Sequence, residues 1–184
     1  PLGPTSYGDS PYQSFSTFAG NPYFISLEDL IQEGVLTEEE CSRADFGSRP
    51  DFVDYAKVYE ERYPLLRKAY ERSSISLDPE FRKFRDENRW WLEDYALFMA
   101  VKARFKGTAW TRWAQDIRLR WQNALDYYRR ELYYDIEFHQ YLQFKFSQQW
   151  KKLKSYANAN GIRIIGDIPI YVAMDSADTW AHPE

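Results

Sequence analysis

The sequence predicts an α/β protein in which helices dominate and one or two strands complete the pattern. Between roughly residues 27 and 160, apolar residues recur mostly at intervals of three and four, the spacing that gathers them on one helix face. The stretch Gly161 to Trp180, GIRIIGDIPIYVAMDSADTW, instead holds Ile162, Ile164, Ile165, Ile168 and Ile170 in a nearly continuous β-branched run. Such a run is the pattern of a parallel strand covered on both faces. Helix, turn at Gly161 and apolar strand together make one repeat of an α/β unit. Asp167 falls near the carboxyl end of that strand, where active sites of parallel sheets and barrels gather, and is the first candidate functional residue. The competing reading is that Asp167 caps the following loop by accepting backbone N–H bonds.

In chain order, residues 1–25 read as a loop. Pro1 to Phe24 contains four prolines and three glycines among Ser, Thr, Asp and Asn. It also carries Tyr7, Tyr12, Phe15, Phe18, Tyr23 and Phe24, which a solvated linker would lack, so it is expected to be packed and functional. Tyr7 and Tyr12 flank the turn Gly8-Asp9-Ser10-Pro11; they either face a ligand or pin the loop to the body.

Residues 26–160 read as helical. Leu27 to Ile31 is a short helix with Ser26 as its N-cap and Gly34 as its stop. Thr37 caps a second helix whose first turn is acidic, Glu38-Glu39-Glu40. Val53 to Arg72 has helical spacing, with Pro64 either kinking one helix or starting another. Asp78-Pro79-Glu80 is a cap followed by a first-turn proline. Asn88 to Lys106 is the clearest amphipathic pattern and stops at Gly107. Asp116 to Tyr156 predicts two long helices meeting near Tyr133-Tyr134-Asp135, the second closing at Gly161. The pairs Trp90-Trp91 and Trp110/Trp113 favour core packing over ligand stacking.

Composition narrows the function classes. Twenty-eight acidic against 24 basic residues give a net charge of −4, which argues against a nucleic-acid partner. No apolar run approaches the roughly 20 residues of a membrane span, so no membrane partner is expected. Cys41 is the one cysteine, which excludes an intramolecular disulfide and suits a cytoplasmic setting. His139 and His182 are too few and too separated for a metal cluster; no metal site is expected, and His139 reads as a packing residue. Seven Trp, 15 Tyr and 12 Phe in 184 residues fit either an aromatic core or a surface that stacks on sugars.

Longer motifs point to one family. Pro1-Leu2-Gly3-Pro4-Thr5, Tyr7-Gly8-Asp9-Ser10-Pro11-Tyr12-Gln13-Ser14 and Phe18-Ala19-Gly20-Asn21-Pro22 open the chain. Trp91 to Phe98, Phe138 to Phe144 and Gln149-Trp150 follow, then Gly166-Asp167-Ile168-Pro169-Ile170-Tyr171-Val172-Ala173 and Asp175-Ser176-Ala177-Asp178. In this order and over the whole chain they resemble the amylomaltases, the disproportionating 4-α-glucanotransferases of glycoside hydrolase family 77.

The resemblance implies a cytoplasmic enzyme on a (β/α)8 TIM barrel with large helical insertions. It would move α-1,4-glucan segments between oligosaccharides by a retaining double displacement, with no metal or organic cofactor. Residues 1–25 become an active-site loop, 26–160 a helical insertion region, and 161–184 a barrel strand with its following loop. By the same carry-over Asp167 is a supporting carboxylate, not the nucleophile. Tyr12 and Ser10 line the cleft, with Tyr7 and Asp9 as neighbouring substrate contacts; Asp175 and Trp180 enter by position alone. The family's nucleophile, acid/base and third carboxylate lie beyond Glu184, so the chain is expected to be a fragment, inactive alone. The rival is a noncatalytic glucan-binding or helical interaction protein.

Overall fold

Two helices set the frame, and the rest of the chain is arranged around them. The computed structural model describes residues 1–168 and 170–183, the side chain of Tyr7 excepted. Its helices in order are α1 Leu27–Gln32, α2 Glu38–Ser42, α3 Tyr55–Arg72, α4 Pro79–Glu87, α5 Arg89–Arg104, α6 Gln115–Arg118, α7 Gln122–Glu131, α8 Tyr133–Ala159 and α9 Ala177–Ala181. Single 3-10 turns lie at Tyr7–Asp9, Pro22–Phe24, Ile75–Leu77 and Trp110–Arg112.

The caps are those the sequence supplies. Ser26 Oγ accepts from the Asp29 N–H, and Thr37 forms a reciprocal capping box with Glu40. Asp78 accepts from the Glu80 and Phe81 N–H groups with Pro79 in the first turn. Gly161 closes α8 at φ 75°: its N–H donates to Asn158 O and the next N–H, of Ile162, reaches back to Ala157 O, a Schellman end that only a residue tolerant of positive φ takes cheaply. α3 runs through Pro64 as one helix.

The core is the interface of α5 and α8. Leu92, Tyr95, Ala96, Leu97, Phe98 and Val101 of α5 meet Phe138, Tyr141, Leu142 and Phe144 of α8. Every residue from Glu137 to Lys145 is buried, although Glu137, His139, Gln140, Gln143 and Lys145 are polar. Hydrogen bonds offset the burial cost at Glu137, Gln143 and Lys145. Glu137 accepts from Ser76 Oγ at 2.7 and 2.8 Å and from the Tyr70 and Tyr133 hydroxyls at 3.3 Å. Lys145 reaches Glu33 at 2.7 Å.

Two glutamines of α8 hold the N-terminal loop by its backbone. Gln143 Oε1 accepts from the Gly20 N–H at 2.7 Å while its Nε2 donates to Gly20 O at 2.9 Å. Gln149 does the same for Ser26, at 2.7 and 3.3 Å. Gly20 lies so close to α8 that a Cβ would sit 2.1 Å from the Phe146 ring. Gly20→Ala is therefore expected to lower the unfolding free energy by about 1–3 kcal/mol, read from the urea midpoint, because the loop and the ring must part.

The secondary structure departs from the sequence reading in two places. The expected strand at 161–170 does not form. No strand exists among the described residues, and the one β-bridge joins Thr5 to Ser14. Ile165, Ile168 and Ile170 are 95%, 79% and 89% exposed; Pro169 lies outside the described residues. A parallel strand needs a neighbouring strand about 4.8 Å away to take its hydrogen bonds, and none is present among the described residues, so the apolar run stays uncovered. The described residues are thus mostly helical, without the one or two strands. The second departure is inside the expected helix after Asp116, which breaks at Arg120, φ 56°. No glycine marks this turn. Arg120 is held there by Asp94 at 2.6 Å and by the Trp180 ring, 4.3 Å from its guanidinium.

Candidate active-site cleft

The N-terminal loop folds back on itself as a short hairpin. The Ser6 N–H donates to Gln13 O at 2.8 Å, Thr5 bridges Ser14, and the Phe15 N–H donates to Pro4 O. Ser10 turns the tip, its Oγ accepting from the Tyr12 N–H at 3.3 Å and its carbonyl from Gln13. Asp9 sits at φ 53° beside it. The Tyr7 side chain lies outside the described residues.

From this tip the Tyr12 hydroxyl donates to Asp167 Oδ2 at 2.7 Å, across 155 residues of chain. Both side chains are exposed, Tyr12 by 53%. The hydrogen bond to the Asp167 carboxylate, reinforced by its charge, raises the Tyr12 phenol above its ordinary pKa of 10. The phenol is thus held protonated, as a donor, across the neutral range.

The segment that follows is fixed from below. Asp175 Oδ2 pairs with the buried Lys102 ammonium at 2.5 Å, and its Oδ1 accepts from the Trp110 N–H. Trp180 is 1% exposed, packed against Phe98 and Trp113, with its Nε1 donating to Ile117 O at 3.1 Å. These two expected ligand-side residues therefore face inward and hold the loop, while Tyr12 and Asp167 face out. Burial explains the difference for Trp180: its indole completes the α5 core and presents no open face for a sugar. Trp113 is likewise core, whereas Trp90 is 66% exposed and meets Phe18 edge-on at 4.6 Å.

Beside the hairpin a cavity of about 830 Å³ opens between the loop, one face of α3, the C-terminal end of α5 and the N-terminal part of α8, lined among others by Asp9, Tyr23, Tyr55, Tyr59 and Tyr63. Burial, with the nearby Asp9 charge, pushes Tyr23 up to about 12. Sequence reasoning passed over this tyrosine wall; the signal was Tyr55, Tyr59 and Tyr63 at successive intervals of four, one stripe of α3. Among the described residues no cluster of three or more His, Cys, Asp or Glu is placed to hold a metal, and no helix is long and apolar enough to cross a membrane.

The profile of glycoside hydrolase family 77, described as 4-alpha-glucanotransferase, matches residues 1–184. The chain belongs to this family. Among curated members of family 77, the 4-alpha-glucanotransferases of Streptococcus pneumoniae and Clostridium butyricum are 51% and 46% identical over the whole chain. That of Thermus thermophilus is 48% identical. The chain spans 37–38% of the length of these relatives. A solved family 77 structure, amylomaltase from Streptococcus agalactiae in complex with acarbose, superposes on all of this chain and 37% of its own with a TM-score of 0.92 at 41% identity.

Proposed function

We propose that the chain is part of a 4-α-glucanotransferase that transfers α-1,4-glucan segments between oligosaccharides by a retaining double displacement. The observation that carries this is the Tyr12–Asp167 pair, an exposed phenol and carboxylate brought to 2.7 Å from opposite ends of a family 77 chain. Asp167 accepts the phenol through Oδ2, which leaves Oδ1 to accept a sugar hydroxyl. Tyr12 supplies a flat aromatic face, and Ser10 and Asp9 supply polar groups at the same tip, with Tyr7 proposed as a neighbouring contact. Asp175 and Trp180 serve the site by anchoring its loop. The nucleophile and acid/base carboxyls, about 5 Å apart in a retaining enzyme, come from outside residues 1–184. The exposed isoleucine run 162–170 supports its role as a barrel strand in a longer polypeptide, and the lone Cys41 supports a cytoplasmic setting. Residues 1–25, 26–160 and 161–184 then act as active-site loop, helical insertion region, and strand with its following loop.

The test is maltotriose disproportionation, glucose release plus longer products by chromatography, with the longer polypeptide that carries this chain. Asp167→Asn is expected to lower turnover at least about tenfold, or ~1.4 kcal/mol of transition-state stabilisation. Tyr12→Ala is expected to weaken substrate use with a melting temperature close to that of the parent. If the folded polypeptide disproportionates no maltotriose, the transferase reading fails and a noncatalytic glucan-binding role replaces it.

A further inference from the structure

Tyr12 and Asp167 are both exposed, so burial does not fix the distance between them. Nor does their backbone on one side: among the described residues, 163–172 take part in no backbone hydrogen bond. The two loops are joined further along. The Thr17 N–H and the Thr17 hydroxyl both donate to Asp178 Oδ2, at 2.7 and 2.8 Å, and the adjacent Ala177 N–H donates to Phe15 O at 2.8 Å. Hydrogen bonds to a carboxylate are short and strong, and two on one oxygen fix direction as well as distance. α9, which carries Asp178, is itself immobilised by the buried Trp180 and, through Asp175, by Lys102. The hairpin that presents Tyr12 is thus latched to a rigid point of the segment that presents Asp167.

We infer that Asp178 is a positioning residue for the transfer reaction, which by holding Thr17 sets the Tyr12 phenol against Asp167. This rests on the transferase reading for its catalytic consequence, but the latch itself is legible without turnover. Reactive groups displaced by an ångström lose rate steeply, so a loosened latch acts on the chemical step more than on folding.

The experiment uses the longer polypeptide with Asp178→Ala, Thr17→Val and Thr17→Ser, each alone and the first two also combined with Tyr12→Phe. Asp178→Ala and Thr17→Val are expected to lower kcat for maltotriose at least about tenfold with a smaller change in KM, and Thr17→Ser to restore it. In the Tyr12→Phe background both losses are expected to disappear, because the group that the latch positions is gone. Tyrosine ring-carbon NMR, assigned by difference with Tyr12→Phe, is expected to show the Tyr12 titration falling toward 10 when the latch is cut. Thr17→Val keeps the test open if Asp178→Ala does not fold. Losses that add to Tyr12→Phe, together with an unmoved Tyr12 titration, would overturn the latch. A wild type without disproportionation whose Tyr12 titration still moves on cutting the latch would refute the transferase reading and leave the latch standing.

Discussion

Replacing Trp180 with alanine is expected to remove about 3–5 kcal/mol of unfolding free energy, the largest stability loss of any substitution considered. Three effects act together. The indole is 1% exposed and packs against both Phe98 and Trp113, so its loss leaves a void that the α5 helix, fixed on its other side by α8, does not close. The Ile117 carbonyl loses the indole N–H and keeps the Arg120 N–H. The Arg120 guanidinium loses the ring beneath it at a residue already held at positive φ. Chemical denaturation of the variant measures this directly. Trp180→Phe, which keeps the ring contacts but not the N–H, is expected to recover more than half of the loss. Equal losses in the two variants would show that the hydrogen bond, not the packing, carries the effect.

The second large effect is in acid. Burial, aided by the Arg67 cation, lowers His139 from its ordinary 6.5 to about 3. Between those values the unfolded chain binds a proton at this imidazole and the folded chain does not. Stability is therefore complete above pH 6.5 and falls with decreasing pH, by about 1.4 kcal/mol per unit where the unfolded imidazole is fully protonated. From pH 6.5 to 5 the group removes roughly 1.5 to 2 kcal/mol, a window in which ordinary carboxylates remain mostly charged. Below it Glu40 adds to the decline, since hydrogen bonds from Arg72 and Lys68 hold its carboxyl far below the usual range. His139→Gln, measured by urea unfolding at several pH values, is expected to flatten the upper part of this acid limb. Parallel curves for variant and parent would show that His139 is protonated in the fold.

The helices were legible because their ends are written in short-range chemistry. Ser26, Thr37, Asp78 and Gly161 satisfy orphan backbone groups within a few residues, so no knowledge of the rest of the fold is needed to place them. The expected strand is absent among the described residues for the converse reason. Isoleucine spacing reports a segment suited to burial between layers, but whether a neighbour is there to cover it is a property of distant residues. Arg120 hid the α6–α7 break because its left-handed backbone is held by Asp94 and Trp180, both remote in sequence. At the candidate site, Tyr12 and Asp167 stood out through the family's motifs, and the structure brings them into hydrogen-bond contact. Thr17 did not, and Asp178 entered only as the end of a quoted motif with no role, since a threonine and an aspartate in polar loops look like solvated surface until the fold brings them together.

The paired amides of Gln143 and Gln149 also set an order of events during synthesis. Each clamps a backbone unit made 123 residues earlier. At roughly 5–20 residues per second, the N-terminal segment waits about 6 to 25 s after leaving the ribosome before its partners on α8 exist. Through that interval the backbone of Gly20 and Ser26 has no amide clamp, although Tyr23 and Phe18 meet rings on α3 and α5, which are made before α8. The hairpin that presents Tyr12 is consequently made well before α8 and clamped only after it.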